Sequence, residues 1–497
     1  MTLRRSGGDM QLNDPRLFRQ LAYVDGQWTA GRSNHDEPVL DPANGEILGY
    51  CALLDAEQIT GAVTAAERAF AGWRALSVDE RGRLLQRWYQ LLHEHREDLA
   101  HLMTLEQGKP LRDARGEVDY GASFIQWFAE EARRAYGMTI PSHIPNAMLG
   151  TLKEPVGVSV MLTPWNFPLA MITRKAGAAL AAGCPVIVKP ANETPFTALA
   201  LAELAERAGI PPGIFNVVTG EPATVSEVLC TDTRVRSVSF TGSTRVGKLL
   251  IRQSAGTVKR MSLELGGNAP FIVCEDVDVD EAAREAVAAK FQTAGQDCLA
   301  ANRIFVHRRI YDRFLERFAV HMKALRVGSG MMEVDIGPLI HRRAVEAAQA
   351  IVDDAVNRGA RLVAGNQSMA PGANFFMPTL LADITPEMRV FREETFSPVA
   401  GVCAFDDDEA VVAAANDTEY GLAAYIYSND VKRIWKMMRG LEYGMVSVNT
   451  LKMTGAPIPF GGVKQSGLGR EGGAQGLEEY LDTKYFCLGN MPGPSGS

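Results

Sequence analysis

The sequence lacks the features that mark membrane, secreted and disulfide-stabilised proteins. Its apolar runs, such as residues 176–184, are too short and too rich in Ala and Gly to span a bilayer. No apolar segment follows Arg4 and Arg5, so we expect no secretory signal. The seven cysteines are an odd number and include no CxxC pair, which argues against a disulfide framework and favours a reducing cytoplasm.

Blocks of positive charge and clusters of metal ligands are also missing. The formal net charge is −8 and no Lys/Arg block occurs, so we expect no nucleic-acid partner. The eight histidines form no HExxH or comparable spacing, so we expect no metal ion. Residues before Met10 look like a loose leader, which makes Met10 a candidate start, and residues 491–497 look like a flexible tail. The chain is therefore expected to be a cytoplasmic protein that acts on a small molecule, with no membrane partner.

The chain has the composition of a globular protein and, at 497 residues, the length of two or three domains. Its first ~130 residues are rich in helical patterns. One helix is predicted from apolar residues spaced by four and three, at Ile59, Val63, Ala66, Phe70 and Trp73. A second helix is predicted to begin at a capping box formed by Ser77 and Glu80 and to end near Gly108 and Pro110.

From Val156 onward, short β-rich runs alternate with helical stretches. Strands are predicted at 156–162, 186–188, 215–218 and 237–240, and helices at 169–182, 198–208 and 245–254. Such alternation predicts a parallel sheet covered by helices, the doubly wound α/β class. A second alternating block runs from Phe271 to about Val448, and residues 263–267 are the expected junction.

Cys298 is the candidate nucleophile. It follows Gly295-Gln296-Asp297, a Gly-containing turn that makes a thiol accessible. A thiolate that attacks an aldehyde forms a thiohemiacetal, which can then lose hydride. The other cysteines are expected to be buried and inert, namely Cys51, Cys184, Cys230, Cys274, Cys403 and Cys487.

Two further residues suit the remaining steps of such a reaction. Asn166 lies between two prolines in TPWNFP, and its amide can donate to an oxyanion; the alternative is a structural turn Asn. Glu264 lies between Leu263 and Leu265, where desolvation would raise its pKa and suit it to activate water. The alternative is an exposed linker glutamate.

A nucleotide site is indicated by two weaker signals. Gly242 and Ser243 lie in a tight turn between a predicted strand and helix, where backbone N–H groups can bind phosphate. A plain strand–helix turn is an equally good interpretation. Lys189 follows a predicted strand, at the edge where parallel sheets bind nucleotides, although a solvated loop lysine is the simpler interpretation.

Seven motifs occur in one order that resembles the aldehyde dehydrogenase superfamily. They are TPWNFP (163–168), KPANETP (189–195), FTGSTRVG (240–247), ELGGNAP (264–270), GQDC (295–298), EETFSP (393–398) and PFGGVKQSGLGRE (459–471). The resemblance runs from about Asp14 to Cys487 and is strongest to the bacterial succinate-semialdehyde dehydrogenases. It implies an α/β fold of two doubly wound domains plus a small β oligomerisation arm.

The resemblance also implies roles and domain limits. Cys298 matches the nucleophile, Glu264 the general base, and Asn166 with the Cys298 N–H the oxyanion hole. The implied cofactor contacts are Lys189 and Asn192 at the adenine ribose, Gly242 and Ser243 at the pyrophosphate, Glu394 at the nicotinamide ribose and Phe396 beside the nicotinamide. Trp165 and Leu265 are implied as further cofactor-binding residues. The implied domains are a cofactor domain at 10–135 and 154–265, a catalytic domain at 266–466, and an arm at 136–153 and 480–490 that would build a homodimer or homotetramer.

Two positions depart from the pattern of those relatives. Asn192 stands where NAD-preferring relatives carry Glu, so the repulsion of a 2′-phosphate is removed and NADP is permitted alongside NAD. Ala300 stands where many succinate-semialdehyde dehydrogenases have a second cysteine. We therefore expect no disulfide switch at Cys298.

The substrate contacts depart as well. Relatives hold the distal carboxylate with two arginines and a serine; Arg174 matches the first arginine, Gln292 replaces the second and Thr454 replaces the serine. Lys452 could supply the missing charge, or could be a solvated loop lysine. The favoured substrate is an ω-carboxylated aldehyde, above all succinate semialdehyde. The alternatives are glutarate semialdehyde, a neutral or aromatic aldehyde, transfer to CoA instead of water, and a non-catalytic binding protein on the same scaffold.

Overall fold

The computed structural model describes residues 12–32, 36–366 and 374–491. The candidate start at Met10 and most of the expected tail lie outside these residues. The strands in chain order are β1 (Ala22–Val24), β2 (Gln27–Thr29), β3 (Asp36–Leu40), β4 (Ile47–Ala52), β5 (Thr139–Ile140), β6 (Met148–Pro155), β7 (Val158–Leu162), β8 (Val186–Lys189), β9 (Phe215–Val217), β10 (Val235–Thr241), β11 (Arg260–Glu264), β12 (Ala269–Val273), β13 (Ala301–His307), β14 (Arg361–Ala364), β15 (Thr379–Ala382), β16 (Val399–Phe405), β17 (Ala423–Tyr427), β18 (Met445–Val448), β19 (Gly467–Leu468) and β20 (Leu481–Leu488).

The α-helices cover the faces of the sheets. In chain order they are α1 (Ala56–Ala75), α2 (Val78–Glu94), α3 (Arg96–Gln107), α4 (Leu111–Glu131), α5 (Ala170–Ala182), α6 (Pro195–Arg207), α7 (Pro222–Thr231), α8 (Thr244–Ser254), α9 (Val279–Phe291), α10 (Tyr311–Lys323), α11 (Arg342–Asn357), α12 (Arg389–Arg392), α13 (Asp408–Asn416), α14 (Val431–Gly440) and α15 (Gly473–Glu478). No helix in the described ranges is both long and apolar enough to cross a membrane.

The first large sheet has the strand order β19-β11-β10-β7-β8-β9-β1-β2. Its central strands from β11 to β9 run parallel, while β19, β1 and β2 are antiparallel additions at the edges. The predicted parallel sheet is therefore confirmed. The register pairs Leu162 with Lys189 and Thr241 with Glu264, so the loops that carry the motifs leave one common edge.

The second large sheet has the order β14-β15-β16-β13-β12-β17-β18. All of its strands run parallel except β14. The chain passes from the first sheet to the second between Glu264, the last residue of β11, and Ala269, the first of β12. Nearly every side chain of β12 and β13 is buried, as expected for a sheet covered on both faces.

A separate antiparallel sheet has the order β20-β6-β5. Several large apolar side chains on and beside it are exposed to solvent, namely Tyr136, Met138, Met148, Leu152, Tyr485 and Leu488. Cys487 lies on β20 and is exposed, so the expectation that it is buried was wrong: a strand at the free edge of a three-stranded sheet has no layer above it in the single chain. Cys403 is half-buried.

The capping box at the start of α2 is confirmed, but the length of that helix was wrong. The Ser77 N–H donates to Glu80 Oε2 at 2.8 Å, and the Glu80 N–H donates to Ser77 Oγ at 3.3 Å. The helical pattern does not run unbroken to Gly108, because His95 leaves the helical conformation (φ −106°, ψ 21°) and α3 begins anew at Arg96. The bend lets α3 pack against both α4 and α6, a tertiary demand that apolar spacing alone does not reveal.

Candidate active site

A cavity of about 660 Å³ lies where the loops from the two large sheets meet. Cys298, Asn166 and Glu264 all line this cavity, although they are far apart in the sequence. Most of the residues predicted to contact cofactor or substrate line it as well: Trp165, Arg174, Gly242, Ser243, Leu265, Gln292, Glu394, Phe396 and Thr454. Lys189 and Asn192 lie outside the cavity, at the carboxyl end of β8.

Cys298 is presented by a strained turn. Thr293 (φ 50°) and Ala294 (φ 57°) both adopt the left-handed conformation, which costs about 1–2 kcal/mol per residue for side chains other than glycine. Gln296 holds this turn in place: its Nε2 donates to Thr293 O at 3.2 Å, and its Oε1 accepts from the Ile340 N–H at 2.9 Å. The turn therefore stores strain that the surrounding contacts maintain.

The thiol of Cys298 is hard to ionise in the free protein. Burial raises its pKa well above the usual value, the carboxylates of Asp297 and Glu394 raise it further, and Arg174 acts in the opposite direction. Asp297 itself lines the cavity, and its Oδ1 accepts from the Leu299 N–H at 3.0 Å. A cation near Asp297 would therefore favour the thiolate form of Cys298.

Glu264, the last residue of β11, is 2% exposed, so it is not a solvated linker glutamate. Neither of its carboxylate oxygens has a hydrogen-bond partner among the described residues. Burial raises its pKa well above the usual value, and the nearby carboxylate of Glu471 adds to that rise. Space beside it depends on Gly461, because a Cβ atom there would lie 2.9 Å from Glu264 Oε1. A buried carboxyl group with free oxygens is suited to exchange protons with water.

Arg174 is fully buried, and part of its guanidinium is already engaged. Its Nε donates to Glu471 Oε2 at 2.5 Å, and its guanidinium lies 4.1 Å from the centre of the Phe460 ring. Lys175 forms a second ion pair with Glu471. Arg174 is thus less free to bind a substrate than the sequence predicts, because one donor is committed to a carboxylate of the protein.

Tyr120 on α4 is a cavity residue that the sequence analysis missed. Burial raises the pKa of its hydroxyl, and the positive charge of Arg174 and the nearby Thr454 oppose that rise. Tyr120, Thr454 and Arg174 therefore form one polar cluster at the wall of the cavity. Together they offer hydroxyl and guanidinium donors, the groups that bind a carboxylate.

Asn166 is held by an ion pair that the sequence did not reveal either. Lys109 Nζ donates to the backbone carbonyl of Asn166 at 2.7 Å and pairs with the buried Glu117. Glu117 Oε1 in turn accepts from the N–H groups of Leu169 (3.0 Å) and Ala170 (3.1 Å), at the start of α5. The Asn166 Nδ2 uses one hydrogen on Gln296 O at 3.0 Å, which leaves the second for an oxyanion.

The turn after β10 has the shape of a phosphate site. A Cβ atom at Gly242 would lie 2.4 Å from the Phe240 ring, and one at Gly247 would lie 2.6 Å from Leu265 Cδ2. Ser243 caps α8, its Oγ accepting from the Val246 N–H at 3.4 Å. A glycine before the N-terminus of an eleven-residue helix and a second glycine in its first turn, both at close approaches, fit the pyrophosphate of a dinucleotide.

Lys189, at the end of β8, is 8% exposed, which excludes a solvated loop lysine. Its Nζ donates to Asn192 Oδ1 at 2.6 Å. The Asn192 Nδ2 donates to Glu37 Oε2 at 2.5 Å, a partner that the sequence analysis missed. Burial lowers the pKa of Lys189 to about 8.

Glu394 and Phe396 complete the side of the cavity that faces the nucleotide turn. Glu394 Oε1 accepts from the Gly267 N–H at 2.9 Å, and burial raises the pKa of its carboxyl to about 7. Phe396 has a left-handed backbone (φ 44°), and its ring lies edge to face with Trp165 at 5.6 Å between centroids. These two perpendicular rings line the same cavity as Cys298.

The cavity is lined by further polar and charged side chains, and Lys452 is not among them. Gln292 is exposed there, and Lys452 is exposed but does not line the cavity. Arg112 and Asp113 do line it and contact each other at 3.2 Å. No group of three or more His, Cys, Asp or Glu within the described ranges could hold a metal ion.

The two doubly wound sheets, the phosphate turn at Gly242 and Ser243 and the half-buried thiol in the same cavity define an oxidoreductase that uses a nicotinamide dinucleotide. The sequence profile described as the Aldehyde dehydrogenase family matches residues 28–486. The chain therefore belongs to the aldehyde dehydrogenase family and uses NAD or NADP.

Relatives match almost the whole chain. The aspartate-semialdehyde dehydrogenase (non-phosphorylating) of Halomonas elongata is 69% identical over 488 residues, covering 98% of this chain and 99% of the relative. The NADP(+) succinate-semialdehyde dehydrogenase GabD of Escherichia coli is 50% identical over 481 residues, covering 97% and 100%. The crystal structure of an E. coli NADP-dependent enzyme matches with a TM-score of 0.95 at 51% identity, covering 96% of this chain and 100% of that chain.

Proposed function

We propose that this enzyme oxidises a short aldehyde with a distal carboxylate to the corresponding acid, with succinate semialdehyde as the leading substrate. The observation that carries the proposal is the shared cavity of Cys298, Asn166 and Glu264, with the cluster of Arg174, Tyr120 and Thr454 in its wall. The first three residues suit acyl chemistry, and the cluster suits a carboxylate at the far end of a short chain.

In the proposed mechanism, the Cys298 sulfur attacks the aldehyde carbon and forms a thiohemiacetal. The second hydrogen of Asn166 Nδ2 and the Cys298 N–H donate to the oxygen that becomes negative. The bound nicotinamide supplies the acceptor for the hydride that leaves this carbon. Glu264 then takes a proton from water, the water oxygen attacks the resulting thioester, and the Cys298 sulfur leaves as the acid forms.

A second candidate substrate is aspartate semialdehyde, which has the same chain length and an added ammonium group. The relative that is 69% identical carries the name of that activity. Asp297 favours this candidate, because a carboxylate beside the nucleophile would pair with an ammonium group and lose its unfavourable effect on the thiol. Gln292 in place of an arginine also removes a cation that would repel it.

The test is a kcat/KM comparison over C3–C6 semialdehydes, L-aspartate 4-semialdehyde, butyraldehyde and benzaldehyde, with NAD and NADP in parallel. The proposal requires carboxylated four-carbon aldehydes to exceed butyraldehyde by at least about tenfold, the effect of one ~1.4 kcal/mol contact. Equal rates for butyraldehyde and succinate semialdehyde would refute it. The Cys298→Ala variant should have no dehydrogenase turnover with any aldehyde.

We also propose the assembly and domain limits that the resemblance implies. The cofactor domain comprises 10–135 and 154–265, the catalytic domain 266–466, and the arm 136–153 and 480–490. The free edge of β20 and the exposed apolar side chains beside it support a homodimer or homotetramer formed through the arm, and we propose that this assembly is cytoplasmic. Light scattering of a Tyr485→Lys variant, compared with the unmodified protein, tests this: retention of the same mass would contradict it.

A further inference from the structure

The site at the end of β8 contains a carboxylate that the family pattern does not place there. Asn192 stands where a glutamate would bind the ribose 2′-hydroxyl, and its neutral amide alone would permit NADP. In the fold, however, Glu37 from β3 reaches this amide, with Oε2 at 2.5 Å from Asn192 Nδ2. The residues are 155 positions apart, so only the tertiary structure brings them together.

The three side chains form one chain of hydrogen bonds. Lys189 Nζ donates to Asn192 Oδ1, and Asn192 Nδ2 donates to Glu37. The buried Lys189 ammonium is also close enough to Glu37, Glu193 and Glu221 for these carboxylates to oppose the lowering of its pKa by burial. The positive charge of Lys189 is therefore already balanced by acidic neighbours.

The 2′-phosphate of NADP and the 2′-hydroxyl of NAD would interact differently with Glu37 and Lys189. The phosphate adds negative charge near Glu37, while the only nearby cation in the hydrogen-bonded chain is shared with carboxylates. A hydroxyl is neutral and can donate to a carboxylate oxygen. Like charges at a binding site are a common means of excluding a competing ligand.

We propose that Glu37 is a specificity-determining residue that selects NAD over NADP, in place of the glutamate missing at position 192. Its carboxylate accepts from the ribose 2′-hydroxyl or from Asn192 and repels a 2′-phosphate. The inference depends on the use of NAD or NADP by the family and not on the identity of the aldehyde, so it can fail while the proposed function holds.

The test is calorimetric titration of the purified protein with NAD+, NADP+, ADP-ribose and 2′-phospho-ADP-ribose, which measures binding without turnover. The unmodified protein should bind NAD+ at least about tenfold more tightly than NADP+. Glu37→Gln keeps the size of the side chain and removes its charge. This variant should lower the Kd for both 2′-phosphorylated ligands by about tenfold and change the others by less than about threefold.

Asp36→Asn is the matched control, because Asp36 is the exposed neighbour on the same strand and its change removes the same charge. It should leave all four Kd values unchanged. Glu37→Gln combined with Asn192→Glu should regain the preference for NAD+. Equal affinity of the unmodified protein for NAD+ and NADP+, an unchanged Kd ratio in Glu37→Gln, or no recovery in the double variant would each overturn the proposal.

Discussion

Arg174 and Glu471 form a fully buried ion pair with Nε and Oε2 2.5 Å apart, and the same guanidinium lines the substrate cavity. Arg174 thus neutralises the carboxylate of Glu471 with its Nε, and its remaining N–H donors are available to the substrate. A substitution at this position will therefore affect stability and specificity together.

The Arg174→Met variant should be destabilised by about 3–5 kcal/mol, because the buried charge of Glu471 would lose one of its two ion pairs and keep that with Lys175. Its kcat/KM for succinate semialdehyde should fall by more than that for butyraldehyde, which has no carboxylate to bind. Urea denaturation and the two kinetic assays measure the effects. Arg174→Lys, which retains the charge, is the control and should recover part of both losses; an equal fall for both aldehydes would argue against substrate binding by Arg174.

Glu264→Gln should separate the two halves of the reaction. The variant should still release a rapid burst of NAD(P)H and then turn over about 10²–10⁴ times more slowly, the usual contribution of a general base. Stopped-flow absorbance measures burst and steady state in one trace. A variant without a burst but with normal steady-state turnover would assign Glu264 another role.

The dependence of the reaction rate on pH follows from the directions in which the pKa values of Cys298 and Glu264 are shifted. Burial raises the pKa of both Cys298 and Glu264, and each is active in its deprotonated form. The rates of acylation and of thioester hydrolysis should therefore both rise with pH through these raised pKa values. Single-turnover kinetics between pH 6 and pH 10, a range of about 4 units around the ordinary thiol value, should show this rise, and an acidic optimum would contradict it.

Asp297→Asn should make Cys298 more reactive toward small reagents. The carboxylate of Asp297 raises the pKa of the thiol, so a neutral amide lowers that pKa and increases the thiolate fraction at pH 7. The rate of inactivation by iodoacetamide should rise, and the difference should vanish at a pH above both pKa values. If the substrate carries an ammonium group, the same variant should lose kcat/KM for it while keeping that for succinate semialdehyde.

The ion pair behind Asn166 should matter to the rate although neither partner touches the nucleophile. Glu117→Gln removes the charge that binds Lys109 and leaves the amide oxygen to accept from Leu169 and Ala170. We expect kcat to fall while KM changes little, up to the ~10²–10³-fold loss of a missing oxyanion donor. Asn166→Ala in the same background should then add little, and fully additive losses would show that Glu117 acts elsewhere.

Much of the fold was predictable because its signals are local. The predicted strands from Val156 to Phe240 and the three predicted helices have limits that agree with the structure to within three residues, but helix α7, which lies between two of these strands, was not predicted. The first helix and the Ser77 capping box were equally visible. The break at His95 was not, because it is imposed by packing against α4 and α6.

The cavity was predictable only in part, for a similar reason. Residues inside contiguous motifs, such as Cys298 and Asn166, could be assigned from their neighbours. Tyr120, Lys109 and Glu37 could not, because the site residues near them, Arg174, Asn166 and Asn192 respectively, are far away in the sequence and no periodic pattern joins them. The contact between Asn192 and Glu37 shows why the charge of a binding site cannot be inferred from one sequence position. Asn192 is neutral, but in the fold it lies against the charged Glu37.

The position of Gly461 beside Glu264 restricts which residues can replace this glycine. Its missing side chain leaves space beside one oxygen of Glu264, and its backbone has a positive φ of 157°, a conformation that residues with a side chain rarely adopt. A methyl group there would crowd the carboxyl of Glu264 and would also lie 2.8 Å from Arg470 Cδ and 2.9 Å from the Gly469 carbonyl oxygen. A side chain at this position should therefore lower stability and slow release of the acid together, because one small residue provides both the shape of the loop and the room beside the base.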